Sequence, residues 1–354
     1  MKILALTKYD SNGASSRLRT IQYIDFLKLE NIDINLMPLI TNKMLNQRYK
    51  NGRYRLLDTL KSYAIRIKLL IFSNNYELIL IEKELMPWAP YFIEKLLLIN
   101  KIYIMDFDDA TFHNYDLHKS FFIRCLYRKK LDKLMNNSRA VHCGNDYLIS
   151  RAKSANSKSV RFLPTVVNLD QYKNLSFLNN KYNSTKLKIV WIGTPETQKY
   201  LSIVKPLLNE LSESYDFKLI LVGVNKFEDT KFEIEFFEWS KDTENKILSE
   251  CDIGIMPLYD SAWERGKCGY KLIQYMASGL AVIGSNIGVN NEIIDHGING
   301  YLADDLDDWR RFFISLINNS AGRKEMGKKG RTKVEQNYNI DKWSSSLSRM
   351  LKDV

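Results

Sequence analysis

What most constrains this chain is a kind of segment that recurs along it. Runs such as Ile189–Gly193 (IVWIG), Leu219–Val224 (LILVGV) and Ile253–Leu258 (IGIMPL) are apolar without alternating. A strand with one wet face alternates apolar and polar residues, so unbroken runs of this kind read as strands covered on both faces, as in a parallel sheet between helices. On this reading strands are expected at Lys2–Thr7, Ile32–Pro38, Leu78–Glu82, Ile102–Asp106, Ala140–Cys143 and Arg161–Pro164. The rhythm resumes at Lys188–Ile192, Lys218–Val222, Ile234–Glu238, Ile253–Pro257 and Ala281–Gly284. Helical stretches such as Tyr200–Ser214 and Tyr270–Ser278 separate them, and a polar segment, Asn168–Lys186, divides the two series. The pattern predicts two doubly wound α/β domains. Ligands of such sheets bind beyond the carboxyl ends of the strands, so the cleft between two facing domains is the expected site.

Charge divides at the same place. Of 52 basic and 41 acidic residues, 27 basic and 15 acidic fall in residues 1–165, a net of +12, and the remainder of the chain carries −1. A length of 354 residues fits two domains. Hydrophobic content of 45% with 26% charged residues excludes disorder and fibrous repeats. Cys125, Cys143, Cys251 and Cys268 form no C-x-x-C pair, which disfavours a structural zinc or disulfide framework and fits a reducing compartment. The opening MKILALTKYD is broken by Lys8 and Asp10 and reads as a strand, not a signal peptide. No apolar run reaches the length of a membrane span.

The densest chemical signal runs from Asp252 to Asp260 and from Trp263 to Gly279. It reads as a strand, a loop with Gly and Lys, and a helix opening near Gly269 and closing at Gly279. A helix start with Lys267 and Lys271 beside it makes an anion site suited to a diphosphate. Gly269 allows close backbone approach, and Gln274, one turn below, is placed for a ribose or sugar hydroxyl. The plain alternative is an ordinary strand–loop–helix with its lysines in solvent.

At the ends of the expected first-domain strands lie Gly13-Ala14-Ser-Ser-Arg17, Glu82-Lys83-Glu84 and Asp106-Phe-Asp108-Asp109-Ala-Thr-Phe-His113. Three carboxylates within four residues are costly unless they meet a cation, a hydroxyl or a basic partner. The Gly13 loop is not G-x-G-x-x-G, which argues against a dinucleotide cofactor.

Gly269, Met276-Ala277, Gly279, Val282, Gly288, Glu292 and His296–Gly300 (H-G-x-N-G) together resemble the nucleotide-sugar-binding region of the retaining glycosyltransferase family 4, whose fold is GT-B. The resemblance is strongest over Lys188–Ala303. The family's E-x7-E glutamates fall at Gly266 and Gln274, so neither is kept, and Glu264 is the candidate replacement for the first. The family's Arg and Lys on the donor phosphates correspond to Thr194 and Lys199, with Gly193 at the strand end. Lys199 alone also reads as a surface residue on a capped helix. Trp239 falls where the family surrounds the base, and a core tryptophan is an equal reading.

The resemblance thus implies donor contacts from Gly13, Ala14, Gly193, Thr194, Lys199, Trp239, Glu264, Lys267, Gly269, Tyr270, Lys271 and Gln274. It implies acceptor contacts from Arg17, Glu82, Asp106 and His113. Asp108 and Asp109 fall near the family's His-Asp, which contacts the reacting sugar, and with Lys271 are the expected catalytic groups; a structural pairing with arginine is the alternative. His118 and His142 read as packing or surface residues. The D-x-D string belongs to the other glycosyltransferase fold, so no metal and no cofactor is expected beyond the nucleotide-diphosphate sugar substrate.

Lys43–Lys68 holds eight basic residues and one acid, and Lys119–Lys133 six and one, interleaved with aromatic and aliphatic residues. They suit an anionic membrane surface; a solvated basic face is the plain alternative, and nucleic acid lacks any supporting motif. The sequence is therefore expected to encode an acceptor domain over 1–165, a donor domain over 166–335, and a terminal helix over 336–354 that returns to the first. The expected protein is a cytoplasmic enzyme, peripheral on the inner face of the plasma membrane. It transfers a sugar with retention to a glycan or polyprenyl-linked acceptor in bacterial cell-surface polysaccharide synthesis. A GT-B nucleotide-sugar epimerase and a non-catalytic nucleotide-sugar-binding protein are the competitors.

Overall fold

The computed structural model describes residues 1–172, 186–241 and 243–354, so most of the polar segment Asn168–Lys186 lies outside the described residues. The chain forms two units. The first comprises Met1–Thr165, Arg265–Cys268 and Ile340–Val354, and the second Val166–Glu264 and Gly269–Asn339.

The first unit is built on a parallel sheet of β1 (Lys2–Leu6), β2 (Asp33–Leu36), β3 (Leu78–Glu82), β4 (Tyr103–Phe107), β5 (Ala140–Cys143) and β6 (Val160–Phe162). Their order is β2-β1-β3-β4-β5-β6, every pair parallel. β3, β4 and β5 are buried at every position, Glu82, Asp106 and His142 included, as strands covered on both faces must be. Ile3 and Leu4 through Met105, Val141 and Cys143 make the core. The order reverses between β1 and β3, and such a switch point opens a crevice at the carboxyl ends of those strands. The helix Ile340–Lys352 joins this unit: Arg161 Nη1 donates to the Met350 carbonyl at 2.9 Å, Lys352 pairs with Glu30 at 2.8 Å, and Phe162 meets Trp343 edge-on.

The second unit repeats the plan with β7 (Leu187–Ile192), β8 (Phe217–Val222), β9 (Glu233–Phe237), β10 (Ile253–Met256), β11 (Ala281–Ser285) and β12 (Tyr301–Ala303) in the order β12-β11-β10-β7-β8-β9. All its pairs are parallel. Its switch point lies between β7 and β10. β12 was not among the expected strands; three residues inside a Gly- and Asn-rich stretch carry too little apolar signal. The helix expected over Tyr200–Ser214 is a 3₁₀ turn, Gln198–Ile203, followed by a short α-helix, Lys205–Leu211. Pro206 accounts for the break: it lacks an N–H and is tolerated only in the first turn of an α-helix. Gly327, on the long helix Ser320–Asn337, faces the Gly279 carbonyl, where a Cβ would collide with it. That close approach seats the long helix on Tyr270–Ala277.

Candidate functional site

In the first unit, polar groups gather at the carboxyl ends of β1, β3 and β4. After β1 the chain turns at Gly13, where a Cβ would strike the Tyr9 side chain, and enters the helix Ala14–Arg19. Ser16 Oγ on that helix accepts from the Tyr9 backbone N–H at 2.9 Å and donates to Glu82 Oε2 at 2.6 Å. Glu82, the last residue of β3, is fully buried, and burial pushes its carboxyl up to about 7. Lys83 follows in left-handed backbone conformation (φ 61°), uncommon for a residue with a Cβ and a mark of a constrained site. Its ammonium lies 2.8 Å from Asp108 Oδ1, 3.1 Å from Asp109 Oδ2 and 2.7 Å from Ser15 Oγ. Burial opposes the Lys83 charge, but Asp108 and Asp109 outweigh it and raise the pKa well above the usual lysine range. Asp108 is also buried, yet Lys83 holds its carboxyl below the usual range. Lys83 was visible only as the middle of an E-K-E string, and nothing in sequence assigned it the two aspartates.

Asp106, expected on the acceptor, is buried and held by Arg19. Nε donates to Oδ2 at 2.9 Å and Nη2 to Oδ1 at 2.6 Å, while Nη1 donates to the Leu163 carbonyl at 2.6 Å. This fork-to-fork pair is the strong kind of charged hydrogen bond. Burial opposes the Arg19 charge, and Asp106 more than restores it. His113 is engaged on both ring nitrogens, by Asp116 Oδ1 at 2.7 Å and Tyr147 Oη at 2.8 Å. Arg17 is also buried. Lys267, expected on the donor, groups with this unit: its Nζ is 4.0 Å from Asp109 Oδ1, and Asn145 Nδ2 donates to its carbonyl at 2.8 Å. His142 is fully buried, in line with a packing role, and His118 Nδ1 accepts from the Ser120 N–H at 3.0 Å.

In the second unit the site forms at the ends of β7 and β10. Gly193 N–H donates to the Val222 carbonyl at 3.0 Å, and a Cβ there would strike the Trp191 ring. Thr194 opens a turn in which its N–H donates to Thr197 Oγ1 at 3.0 Å. Lys199 lies with Nζ 5.2 Å from the Tyr200 ring centroid. Gly269 caps the helix Tyr270–Ala277 with φ 64°, a conformation that glycine adopts without penalty. Lys271, in its first turn, sits 4.3 Å from the Trp191 ring centroid, a cation–π seat that orients the ammonium. Glu264 is buried and accepts from Tyr200 Oη and Ser261 Oγ. Gln274 is buried, and its Nε2 donates to Glu244 Oε1 at 3.0 Å. Trp239 Nε1 donates to the other oxygen of Glu244 at 2.5 Å. Glu244 had no sequence signal, because it reaches Gln274 across 30 positions.

Two doubly wound units, one built around a Gly-capped, Lys-bearing helix start and one around a lysine–carboxylate cluster, define a GT-B fold. Sucrose-phosphate synthase (tll1590) from Thermosynechococcus elongatus matches with TM-score 0.73 at 12% identity, over 100% of this chain and 98% of that one. Anabaena Alr3699/HepE in complex with UDP and glucose matches with TM-score 0.71 at 14% identity, over 100% of both chains. Spore coat protein SA of Bacillus subtilis (strain 168) is 33% identical over 75 residues, a fifth of its length and of this chain's. Residues 186–319, within the second unit, match the family described as Glycosyl transferases group 1.

Proposed function

We propose that the protein is a retaining glycosyltransferase of the hexosyl type, taking a sugar from a nucleotide-diphosphate donor. The observation that carries this reading is the helix start at Gly269, with Lys271 seated on Trp191, at the switch point of a sheet that matches the group 1 family. Helix-terminal N–H groups and an oriented ammonium stabilise a departing diphosphate, where charge develops as the glycosidic bond breaks. The departing phosphate takes the proton of the incoming hydroxyl on the same face, so the step needs no dedicated base. Asp108, kept ionised by Lys83, and Asp109, paired with the same ammonium, accept hydrogen bonds from hydroxyls of the sugars and orient them. HepE, which shares the fold, has been crystallised with UDP and glucose, in keeping with a nucleotide-sugar donor.

The acceptor on this reading is a glycan or polyprenyl-linked saccharide of bacterial surface polysaccharide synthesis, met at the inner face of the plasma membrane. The first unit supports that placement. Leu56, Leu57, Leu60, Phe92, Leu96, Phe121 and Phe122 all stand exposed on helices that also carry Lys61, Lys68, Lys95 and Arg124, with Phe122 at 83%. Apolar side chains among basic ones fit an anionic lipid surface. No helix among the described residues is long and apolar enough to cross a membrane.

The test is incubation with UDP-, GDP- and dTDP-sugars, with and without polyprenyl-diphosphate-linked saccharide. Slow nucleotide release accelerated by the acceptor is expected, and Lys271→Ala should weaken donor binding strongly. An isomerised nucleotide sugar would instead mean epimerase. Binding without turnover would mean a non-catalytic protein, a reading favoured only by Gly266 and Gln274 at the family's glutamate positions.

A further inference from the structure

The loop after β3 is held more firmly than a surface turn needs. Met86, Pro87 and Trp88 carry two backbone N–H and three C=O groups, and a side chain takes each of them. Glu94 Oε1 accepts from the Met86 N–H at 2.7 Å, and Lys130 Nζ donates to the Met86 carbonyl at 2.7 Å. Tyr63 Oη donates to the Pro87 carbonyl. Tyr115 Oη accepts from the Trp88 N–H at 3.0 Å, and Tyr127 Oη donates to the Trp88 carbonyl at 2.9 Å. These side chains come from five helices, Leu56–Ile71, Tyr91–Leu97, His113–Asp116, Phe121–Tyr127 and Lys130–Asn137. Lys130 and Glu94, 3.1 Å apart, are themselves buried, a costly place for ionisable groups. Trp88 stands at φ 62°, a region that bulky residues rarely enter. The residue held in this way is an indole with 49% of its surface exposed.

The surroundings of the ring narrow the ligand. Tyr115, His118 and Tyr127 stand edge-on to it, with centroids 5.1 to 6.2 Å away and planes 75 to 80° apart, so none of them stacks on it. His118 Nδ1 accepts from the Ser120 N–H at 3.0 Å, which assigns the proton of the neutral ring to Nε2. Neither His118 Nε2 nor Trp88 Nε1 has a partner among the described residues. An aromatic face therefore lies beside two N–H donors. A pyranose ring has the matching chemistry: its C–H groups meet the electron-rich face, and its hydroxyl oxygens accept at the rim. An acyl chain lacks those oxygens, and a side chain that only dips into lipid needs no fixed backbone. We infer that Trp88 and His118 form a saccharide subsite, Trp88 as the platform and His118 as the donor at its edge. It shares no residue with the Lys83–Asp108–Asp109 cluster. Tyr127 belongs to the helix that exposes Phe121 and Phe122. A sugar on Trp88 thus lies beside the surface that the proposed function gives to lipid, where the sugars of a polyprenyl-linked acceptor are. The inference rests on that function only in calling the saccharide the acceptor.

The experiment is equilibrium binding of the full chain to an array of bacterial surface oligosaccharides. Calorimetry with UDP, GDP and dTDP and sedimentation with phosphatidylglycerol vesicles are run on the same samples. Wild type should bind at least one oligosaccharide. Trp88→Ala should weaken that binding about tenfold or more, as truncation of a central tryptophan contact does, and Trp88→Tyr should restore most of it. His118→Leu should weaken it about threefold or more, the loss of one hydrogen bond. None of the three should change nucleotide affinity or vesicle sedimentation. His118→Leu decides if Trp88→Ala does not fold. Saccharide binding unchanged in both Trp88→Ala and His118→Leu, or no saccharide binding by a chain that binds nucleotide, overturns the subsite and leaves the donor reading intact. Vesicle sedimentation lost in Trp88→Ala with saccharide binding kept makes the ring a lipid anchor and also overturns it. Trp88-dependent saccharide binding by a chain that takes none of the nucleotides upholds the subsite and overturns the transferase reading.

Discussion

Replacing Glu82 with glutamine isolates one buried carboxyl whose protonation should govern how stable the first unit is near neutral pH. Glu82 ends β3 with no exposed surface, and burial lifts its pKa from 4.5 to about 7. Lys83 and the Ser16 hydrogen bond pull the other way without cancelling that effect. Because the folded value lies above the unfolded one, folding takes up a proton within this window. The stability is fully present below about pH 4.5, falls as pH rises, and levels off above about pH 7. At about 1.4 kcal/mol per pH unit, the gap between 4.5 and about 7 amounts to about 3 kcal/mol. Glutamine has the same shape, still accepts from Ser16 Oγ, and does not ionise. The assay is urea denaturation of wild type and Glu82→Gln at 25 °C from pH 4.5 to 8.5. Other titrations, including that of Glu94, also raised to about 7, cancel in the difference between the two proteins. The variant should gain about 3 kcal/mol over wild type across the window. A difference that stays flat with pH would show that Glu82 is ionised in the folded protein and that burial does not dominate its environment.

Two further outcomes are expected. Gly269→Ala places a Cβ at φ 64° and against Ile293 and Val289, so it should cost about 1–3 kcal/mol, read as a lower thermal midpoint, and weaken UDP binding in calorimetry; an unchanged midpoint would mean that the turn is not strained. The chain should sediment with phosphatidylglycerol vesicles and not with neutral phosphatidylcholine ones. Charge reversal of Lys50, Arg53 and Arg55 should weaken this about a hundredfold or more, at roughly 1 kcal/mol per basic residue, and Phe121→Ser with Phe122→Ser should weaken it even at high salt. Sedimentation indifferent to all five changes would remove the lipid surface from the account.

Most of the fold could be read from local pattern, because strands buried on both faces declare themselves one by one. Leu78–Glu82 and Ala140–Cys143 agree with the sequence reading to the residue, and the other expected strands differ by one or two residues at their ends. β12 escaped because it is short and its neighbours are turn formers. The position of the polar groups was also legible, since strand ends in such sheets are where ligands go. What each group does there was not. Asp106 and Arg19 lie 87 positions apart, Lys83 and Asp109 26, and Glu244 and Gln274 30. A sequence pattern records side chains that share an element; it carries no trace of which distant element is folded against them. The carboxylate cluster could therefore be flagged, while its division into an Asp106–Arg19 clamp and an Asp108–Lys83 pair needed the sheet order.

The return of Ile340–Lys352 to the first unit has a consequence for how the protein comes into being. Ribosomes deliver residues in order, so the helix that covers Leu347 and Leu351 against the first unit is made only after all of the second. Until then the nascent first unit lacks the partner that Arg161 and Glu30 hold in the finished structure. It must wait, incomplete and partly apolar on that side, while some 170 further residues are translated and folded. The half of the protein that is made first is thus the half that is finished last.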